Sequence, residues 1–421
     1  MEKSLKRQNS DLKWKAALYT VGPVLIYIIS YLMFYKQTLL PKNSDIVAHM
    51  KHALSLDLVL ELSHCGWHLA CWILYACLPI SINVAAAAVS ALFNSLAAMV
   101  VIWLCEKYIS DRIPEIRIRF WITTGVMLTA LMVGPLYLRF YNDKYYLGQG
   151  SPNVWHNPTT TGVRPFALVM TVMTVAYWSC GEDETVTFGG RTWKKNTAYQ
   201  LVMMVLLFIS TIIKPSYIMV YLPVCGIVAL VKLVESRGRM FGKLICQHLY
   251  FIPSLAAFLW QYIKIYVMGG LSGDPSDTGI EIALFKVARR YASSVTVSLL
   301  LKMAFPFLII ILWRKVIVKD KVFQLLFWQF LVGLAITWTL AEKGKRAYHG
   351  NMGWGNILAA SLLWIFCIIF YVREMAGDRE KLLSDAKTRV KYAVPGVLLI
   401  WHLLGGICYY LNVLQNMSGQ L

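Results

Sequence analysis

The chain alternates long apolar runs with short polar segments. Eleven of these runs are long enough to cross the hydrocarbon core of a bilayer, which takes about 20 helical residues. They cover residues 16–35, 84–105, 120–138, 163–180, 197–213, 217–234, 249–268, 295–313, 322–340, 356–371 and 393–411. In a chain that is 58% hydrophobic, this pattern predicts an all-α, polytopic integral membrane protein with about 11 transmembrane helices and one membrane domain over 1–421.

Two shorter segments follow the first apolar run. His49 and His52 lie four and seven positions after Asp45, so the three side chains share one helical face opposite an apolar one. Segment 66–78 is apolar, but its thirteen residues span about 20 Å as a helix, which is less than a core of about 30 Å. We therefore predict amphipathic juxtamembrane helices near 45–62 and 66–78 that lie along the membrane.

Local residues also predict where two helices begin. Asn43 or Ser44 is a natural N-cap, which places Asp45 in the first helical turn. A threonine at 159–161 would cap the helix that follows, leaving free backbone amides at its N-terminus.

The net charge of +19 is distributed unevenly along the chain. Six short segments hold 26 of the 41 lysines and arginines, namely 1–15, 106–119, 181–196, 232–244, 314–321 and 373–391. If these segments face the cytoplasm, the chain obeys the positive-inside rule with a cytoplasmic N-terminus. We expect a multi-pass protein of the cell (plasma) membrane, and the positive charge then requires no nucleic-acid partner.

With this orientation, the polar residues that suit chemistry fall on the extracytoplasmic side. Six of the eight histidines lie in outer segments, among them His49 and His156. Asp45, His49 and His156 are the candidate catalytic residues, since a carboxylate and imidazoles can move protons. The alternative is that Asp45 and His49 form only the solvated face of an interfacial helix.

One loop and two cations add candidate substrate-binding residues. The loop at 150–160 contains Asn157 directly before Pro158, which favours a turn. Arg164 lies in the helix that follows, where a cation is costly unless it faces a polar cavity or reaches back to the surface. Lys214 precedes Pro215 between two short apolar runs, which indicates either a polar cavity or a tight hairpin.

The outer loop at 342–355 is the second strong signal. It carries Glu342, Arg346, His349, Asn351 and Trp354, all of which are candidate substrate-binding residues. Three cations on an outer loop run against the positive-inside trend, so local acids or a phosphate are expected to compensate them. A flexible hairpin tip is the alternative.

This arrangement resembles the GT-C glycosyltransferase superfamily of polytopic membrane enzymes. In that family an acidic residue follows the first membrane helix, and here that position matches Asp45 in Asp45-Ile-Val-Ala-His49. The stretch 62–69 resembles the family's approach to its last juxtamembrane helix, so residues 1–234 look like its catalytic module and 235–421 like additional helices. The family usually has a second acid in a later outer loop, where this chain offers only Asp143.

The resemblance implies transfer of a sugar from a polyprenyl-phosphate donor to a hydroxyl of a glycan or other envelope acceptor. Asp45 would serve as the base and nearby cations would stabilise the departing lipid phosphate. Asp45 is also a candidate ligand for a divalent cation, Mg or Mn, although two protein ligands would be too few to form a metal site.

Two other classes of protein fit parts of the pattern. A lipid-linked oligosaccharide polymerase or ligase would rely on Arg346 and His349 more than on Asp45. A transporter or flippase for envelope precursors would also contain broken helices and buried cations. Against a transporter, the chain has no internal half-repeat, and its polar residues collect near one face.

Overall fold

The computed structural model describes residues 2–41, 44–138, 140, 151–153, 155–269 and 278–415. Within these ranges the chain forms seventeen α-helices and four short β-strands. The helices are α1 (Glu2–Thr38), α2 (Ile46–His52), α3 (Leu56–Leu60), α4 (Gly66–Cys77), α5 (Ile82–Ile109), α6 (Ile116–Met132), α7 (Pro158–Trp178), α8 (Lys195–Ile213), α9 (Ser216–Glu235), α10 (Phe241–Gln247), α11 (Ile252–Tyr262), α12 (Lys286–Tyr291), α13 (Val295–Ile317), α14 (Lys321–Thr339), α15 (Trp354–Gly377), α16 (Arg379–Ser384) and α17 (Ala386–Leu414).

Eight of the described helices are long and apolar enough to cross a membrane. They are α1 from Ser10 onward, α5, α8, α9, α13, α14, α15 with the turn before it, and α17. Each coincides with one of the eleven predicted runs, which confirms an all-α, multi-pass membrane protein. The other three runs correspond to α6, α7 and α11 with the π-helical turn Ile263–Val267, and the count of eleven spans stays a prediction.

The core of the molecule is built around α15. From Trp354 to Tyr371 this helix is mostly apolar and every residue except Ile357 is buried, as expected for a helix at the centre of a bundle. Helices α5, α6, α7, α9, α13 and α14 pack against it. Because those neighbours shield α15, lipid contacts the outer helices instead.

The first loop contains three short helices. Segment 45–62 contains two helices, α2 and α3, and α4 fills most of the predicted 66–78 segment. Asp45 occupies the N-cap position of α2, and the Ser44 hydroxyl accepts the backbone N–H of Ile46. The expectation that Asp45 lies in the first turn is therefore corrected by one position. The alternative cap, Asn43, lies outside the described residues.

Two small antiparallel sheets were not predicted. Strands β1 (Thr185–Phe188) and β2 (Arg191–Lys194) form a hairpin between α7 and α8. Its two-residue turn places Gly189 at φ 58° and Gly190 at φ 75°, which suits the twist of a tight hairpin. Strands β3 (Ile280–Ile282) and β4 (Leu340–Glu342) pair beside the end of α14.

An extended segment after α6 crosses α17 at close range. The Gly134 N–H donates to the His402 carbonyl at 3.0 Å, and the Leu136 N–H donates to the Leu301 carbonyl at 2.9 Å. A β-carbon on Gly406 would lie 1.4 Å from the Met132 carbonyl oxygen, so the backbones approach as closely as they do only because that residue is glycine. The contacts hold the chain that leads toward residues 151–157 against α13 and α17.

Candidate functional site

A cavity of about 900 Å³ opens at one end of the helix bundle. Its walls come from the N-terminal ends of α13 and α15, the C-terminal end of α14, the junction of α8 and α9, and the first loop. The sequence segments expected on the extracytoplasmic face therefore meet at one end of the molecule. Ten of the predicted site residues line this cavity: Asp45, His49, His156, Asn157, Lys214, Glu342, Arg346, His349, Asn351 and Trp354.

Asp45 is fixed by the segment before α7. Its backbone N–H donates to the His156 carbonyl at 2.9 Å. The Asn157 amide donates to one carboxylate oxygen at 2.8 Å, and His156 Nε2 lies 3.5 Å from the other. The carboxylate still has 40% of its surface exposed, and it lines the cavity. These contacts join two parts of the chain that are more than one hundred residues apart.

The protonation state of Asp45 follows from these contacts. Burial acts to raise the pKa of Asp45, but hydrogen bonds from His156 and Asn157 and the charge of Lys214 outweigh it and hold the pKa below its usual value. The side chain is therefore a carboxylate at neutral pH. It can orient a hydroxyl group or stabilise a developing positive charge.

Asn157 also starts α7, in place of the expected threonine. Its side-chain oxygen accepts the backbone N–H of Thr160 at 2.9 Å, and Pro158 occupies the first turn. An asparagine cap followed by proline is a recognised helix start, so the sequence contained this signal. One amide group thus caps the helix with its oxygen and holds Asp45 with its nitrogen.

Three further imidazoles, those of His49, His64 and His68, form a group in the cavity wall. His49 Nδ1 and His68 Nε2 are 2.9 Å apart, and the rings of His64 and His68 are 6.3 Å apart. Burial, followed by the charge of Lys214, lowers the pKa of His49 to about 4 and that of His64 to about 3. His49 and His64 are therefore neutral at physiological pH, so each ring has one nitrogen that donates a hydrogen bond and one that accepts a hydrogen bond.

The expected divalent cation is not matched by a suitable set of ligands. Across the described residues, no group of three or more His, Cys, Asp or Glu side chains is placed to hold a metal ion. Both Asp45 oxygens face nitrogen donors of Asn157 and His156.

Lys214 supplies a buried positive charge in the same wall. Its ammonium lies 4.4 Å from the centre of the Trp354 ring, and the His156 ring stacks on Trp354 with centroids 6.0 Å apart. Burial lowers the pKa of Lys214 to about 7, although the charge of Asp45 opposes this shift. An anion bound beside Lys214 would restore its full charge.

The 342–355 loop supplies its own compensation for Arg346. Glu342 is buried and accepts hydrogen bonds from Tyr266 at 3.0 Å and Asn351 at 2.5 Å. Arg346 Nε lies 3.4 Å from the same carboxylate. The sequence predicted that either a local acid or a phosphate compensates the cations of this loop, and for Arg346 the structure shows a local acid, Glu342. His349 is exposed at the rim of the cavity.

Arg164 does not line the cavity, in contrast to Lys214 and Arg346. Helix α7 begins five residues earlier than the predicted run, so Arg164 lies nearly two turns inside it rather than one. Its guanidinium donates to the Ala130 carbonyl at 3.0 Å. The cavity thus brings Lys214 and Arg346 together without Arg164. Asp143, the expected position of a second acid, lies outside the described residues.

Several cavity residues were not among the predicted site residues. Lys302 and Asn356 meet at 2.7 Å, Tyr266 comes from the π-helical turn after α11, and His68 lies in α4. A lysine inside an apolar run is a signal of function in itself, whereas Tyr266 and His68 had no distinguishing pattern.

No protein-family model matches this chain, and no curated protein matches its sequence. The functional interpretation therefore depends on the geometry of the cavity.

Proposed function

We propose that this protein is a membrane glycosyltransferase of GT-C type, which moves a sugar from a polyprenyl-phosphate donor to an acceptor hydroxyl. The observation that carries the proposal is the position of Asp45 and Lys214 in one cavity, where a carboxylate can face the acceptor and a cation can face a phosphate. The acceptor is a glycan or another component of the cell envelope.

The cavity also suits a lipid carrier. Beside its polar wall it is lined by apolar side chains of the membrane helices, including Leu299 on α13, Leu334 on α14 and Ile357 on α15. A polyprenyl chain needs such a surface, and its phosphate needs charge-assisted hydrogen bonds from cations. Lys214 provides one, and Arg346 at the rim provides another after a change of partner from Glu342.

The mechanism follows from the charges. The acceptor hydroxyl donates a hydrogen bond to Asp45, its oxygen attacks the anomeric carbon, and the bond from that carbon to the phosphate oxygen breaks. The proton passes to Asp45 as the new bond forms, because a carboxylate of lowered pKa is a weak base before attack. Lys214 stabilises the departing phosphate, and neutral His49 beside Asn157 offers a route for the proton.

The proposal includes an orientation. The N-terminus faces the cytoplasm, and the cavity faces the opposite side of the plasma membrane, since the basic segments lie at the other ends of the helices. Single cysteines introduced at His349 and at Glu184 would test this with a membrane-impermeant thiol reagent. Labelling of intact cells at position 349 and not at 184 is expected, and the reverse pattern would refute the orientation.

Two rival functions make different demands on the same cavity. A polymerase or ligase would depend on Arg346 and His349, and His349 is exposed at the rim where such a residue would act. A flippase would move the lipid without breaking the bond to its phosphate. Measuring bond cleavage therefore separates the flippase from both enzymes.

The decisive experiment uses the purified full-length protein with a panel of polyprenyl-phosphate sugars and candidate glycan acceptors. Transfer of a labelled sugar with release of an equal amount of polyprenyl phosphate supports the proposal. Transfer of a whole oligosaccharide, lost on His349→Ala but not on Asp45→Asn, favours the polymerase or ligase. Release of neither product under conditions where the lipids bind would refute both enzyme proposals.

A further inference from the structure

The floor of the cavity carries a second buried cation. Lys302 lies seven residues after the start of α13, which places it about 10 Å below the cavity mouth along the helix. Its side chain is only 7% exposed and lines the cavity. The ammonium donates to the Asn356 side-chain oxygen at 2.7 Å, and the Asn356 amide donates to the Phe330 carbonyl at 3.2 Å.

A single amide oxygen does not satisfy this ammonium. Lysine has three N–H donors, and a charge removed from water is costly unless an opposite charge and further hydrogen bonds compensate it. In the part of the chain that the structure describes, no carboxylate lies within salt-bridge distance of Lys302. If the contact with Asn356 only joined α13, α14 and α15, an uncharged side chain at position 302 could make it without the free-energy cost of burying a charge. The arrangement therefore favours an anionic ligand.

Lys302 and Lys214 are within reach of one ligand. Lys214 lies against Trp354, and Lys302 bonds to Asn356, two residues further along the first turn of α15. Side chains two apart in a helix point in different directions, so the two lysines approach the first turn of α15 from different sides. Both nevertheless line the same cavity of about 900 Å³, which is large enough for one ligand to meet both.

We propose that Lys302 and Asn356 form a second anion subsite, so that the ligand of this cavity carries two anionic groups. The first anionic group lies beside Lys214, and the second meets the ammonium of Lys302. The second group is either the further phosphate of a polyprenyl diphosphate carrier or the carboxylate of an acidic sugar. The identification of the carrier as a polyprenyl lipid depends on the function proposed above, whereas the pairing of an anion with Lys302 depends on the cavity alone.

The test compares two matched pairs of lipids, and within each pair one lipid carries one more anionic group than the other. The first pair is a polyprenyl phosphate and the matching diphosphate, and the second is a polyprenyl-phosphate glucose and a polyprenyl-phosphate glucuronic acid. Dissociation constants are measured for the full-length protein in detergent, for wild type and Lys302→Met. The matched control is Lys315→Met, on the exposed far end of the same helix. In one of the two pairs, the wild-type protein and the control should bind the lipid with two anionic groups about 10-fold to 100-fold more tightly than the lipid with one.

Lys302→Met should remove that preference and leave the binding of the lipids with one anionic group unchanged. Preference for the diphosphate identifies a carrier with two phosphates, and preference for the glucuronic acid lipid identifies an acidic sugar. If Lys302→Met does not fold, Lys302→Gln replaces it, since glutamine keeps a donor for Asn356 without the charge. Equal loss of binding for all four lipids, a preference that survives in the variants, or no preference in wild type would overturn the proposal.

These outcomes separate the subsite from the proposed reaction. A Lys302-dependent preference without any sugar transfer supports the subsite and counts against the glycosyltransferase. Sugar transfer without such a preference supports the enzyme and removes the subsite.

Discussion

Two lysines stand against tryptophan rings at opposite ends of the helix bundle, and only one of them has an acidic partner. Lys391 lies 4.5 Å from the Trp313 ring and 3.7 Å from a carboxylate oxygen of Asp378. Lys214 lies 4.4 Å from the Trp354 ring, and within the described residues no carboxylate approaches to salt-bridge distance. Both lysines make the same kind of contact with a tryptophan ring. They differ because only Lys391 has a carboxylate at salt-bridge distance.

Other cations are paired at both ends. At the end away from the cavity, Arg119 pairs with Glu106 at 3.0 Å and Arg373 approaches Asp111 at 3.4 Å, and at the cavity Arg346 lies 3.4 Å from Glu342. The contrast is therefore confined to the two buried lysines that line the cavity, Lys214 and Lys302, neither of which has a carboxylate at salt-bridge distance among the described residues. We infer that the ion pairs maintain the fold and that these two lysines are available to an anionic ligand.

The largest expected effect concerns Asp45. Asp45→Asn preserves the size of the side chain and removes its charge, so transfer should fall by about 10²-fold to 10⁴-fold while donor binding persists. The measurement is the rate of labelled-sugar transfer at saturating donor. Asp57→Asn, on the exposed face of α3, is the matched control and should retain the wild-type rate. If Asp45→Asn transfers sugar at the wild-type rate, Asp45 has only a structural role.

The next effect tests the two lysines directly. Lys214→Met should weaken binding of a polyprenyl-phosphate sugar by about 10-fold to 100-fold, because a charge-assisted hydrogen bond is lost. It should not lower Tm, since a buried unpaired charge is removed. Lys391→Met should do the opposite, with a lower Tm and unchanged binding. If both variants lose stability equally and bind normally, the two lysines have the same structural role.

Binding should also depend on pH through Lys214. The pKa of this lysine is lowered to about 7, so the ammonium is lost as pH rises above that value and the site loses affinity for an anion. Binding of a polyprenyl-phosphate sugar should weaken by up to about tenfold per pH unit between pH 7 and 9. The phosphodiester of this ligand keeps one charge over that range. Lys214→Arg, which stays protonated, should give a flat profile, and an equally steep profile would refute this assignment.

The smallest effect lies at the opposite end. The Asp378 carboxylate accepts a hydrogen bond from the Tyr392 hydroxyl at 2.8 Å and one from Lys381 at 3.1 Å. Asp378→Asn should lower the free energy of unfolding by about 1 kcal/mol, because these contacts are partly exposed. Thermal unfolding in detergent measures this. Unchanged donor binding is expected, and reduced binding would mean that the two ends are coupled.

Sequence patterns predicted the membrane helices and grouped Asp45 with His49 and His156, whereas the hydrogen bond from Asn157 to Asp45 was not predicted. Apolar run length is a strong local signal, and the positive-inside rule brings distant loops to one side without any knowledge of packing. The compensation of Arg346 by Glu342 could also be predicted as a pair four residues apart.

Other contacts could not be predicted because they depend on how helices pack. Nothing in the sequence pairs Lys214 with Trp354 or Lys302 with Asn356, since these contacts join separate helix ends. Arg164 was misplaced because the apolar pattern begins later than the helix, whose first residues are polar but buried. The β1–β2 hairpin is too short for an alternating pattern to stand out.

The crossing of the extended segment with α17 has a consequence for the order of assembly during synthesis. The Gly134 N–H donates to the His402 carbonyl on α17, and the rings of Trp155 and Tyr410 lie 6.2 Å apart. Helix α17 therefore contacts the chain near both ends of the segment between α6 and α7, close to His156 and Asn157. That helix leaves the ribosome after the other sixteen. Until it inserts, Gly134 lacks its hydrogen-bond acceptor and the chain around Asp45 lacks its final support. The contacts that position the cavity residues near Asp45 are therefore complete only after the last described helix has entered the bilayer.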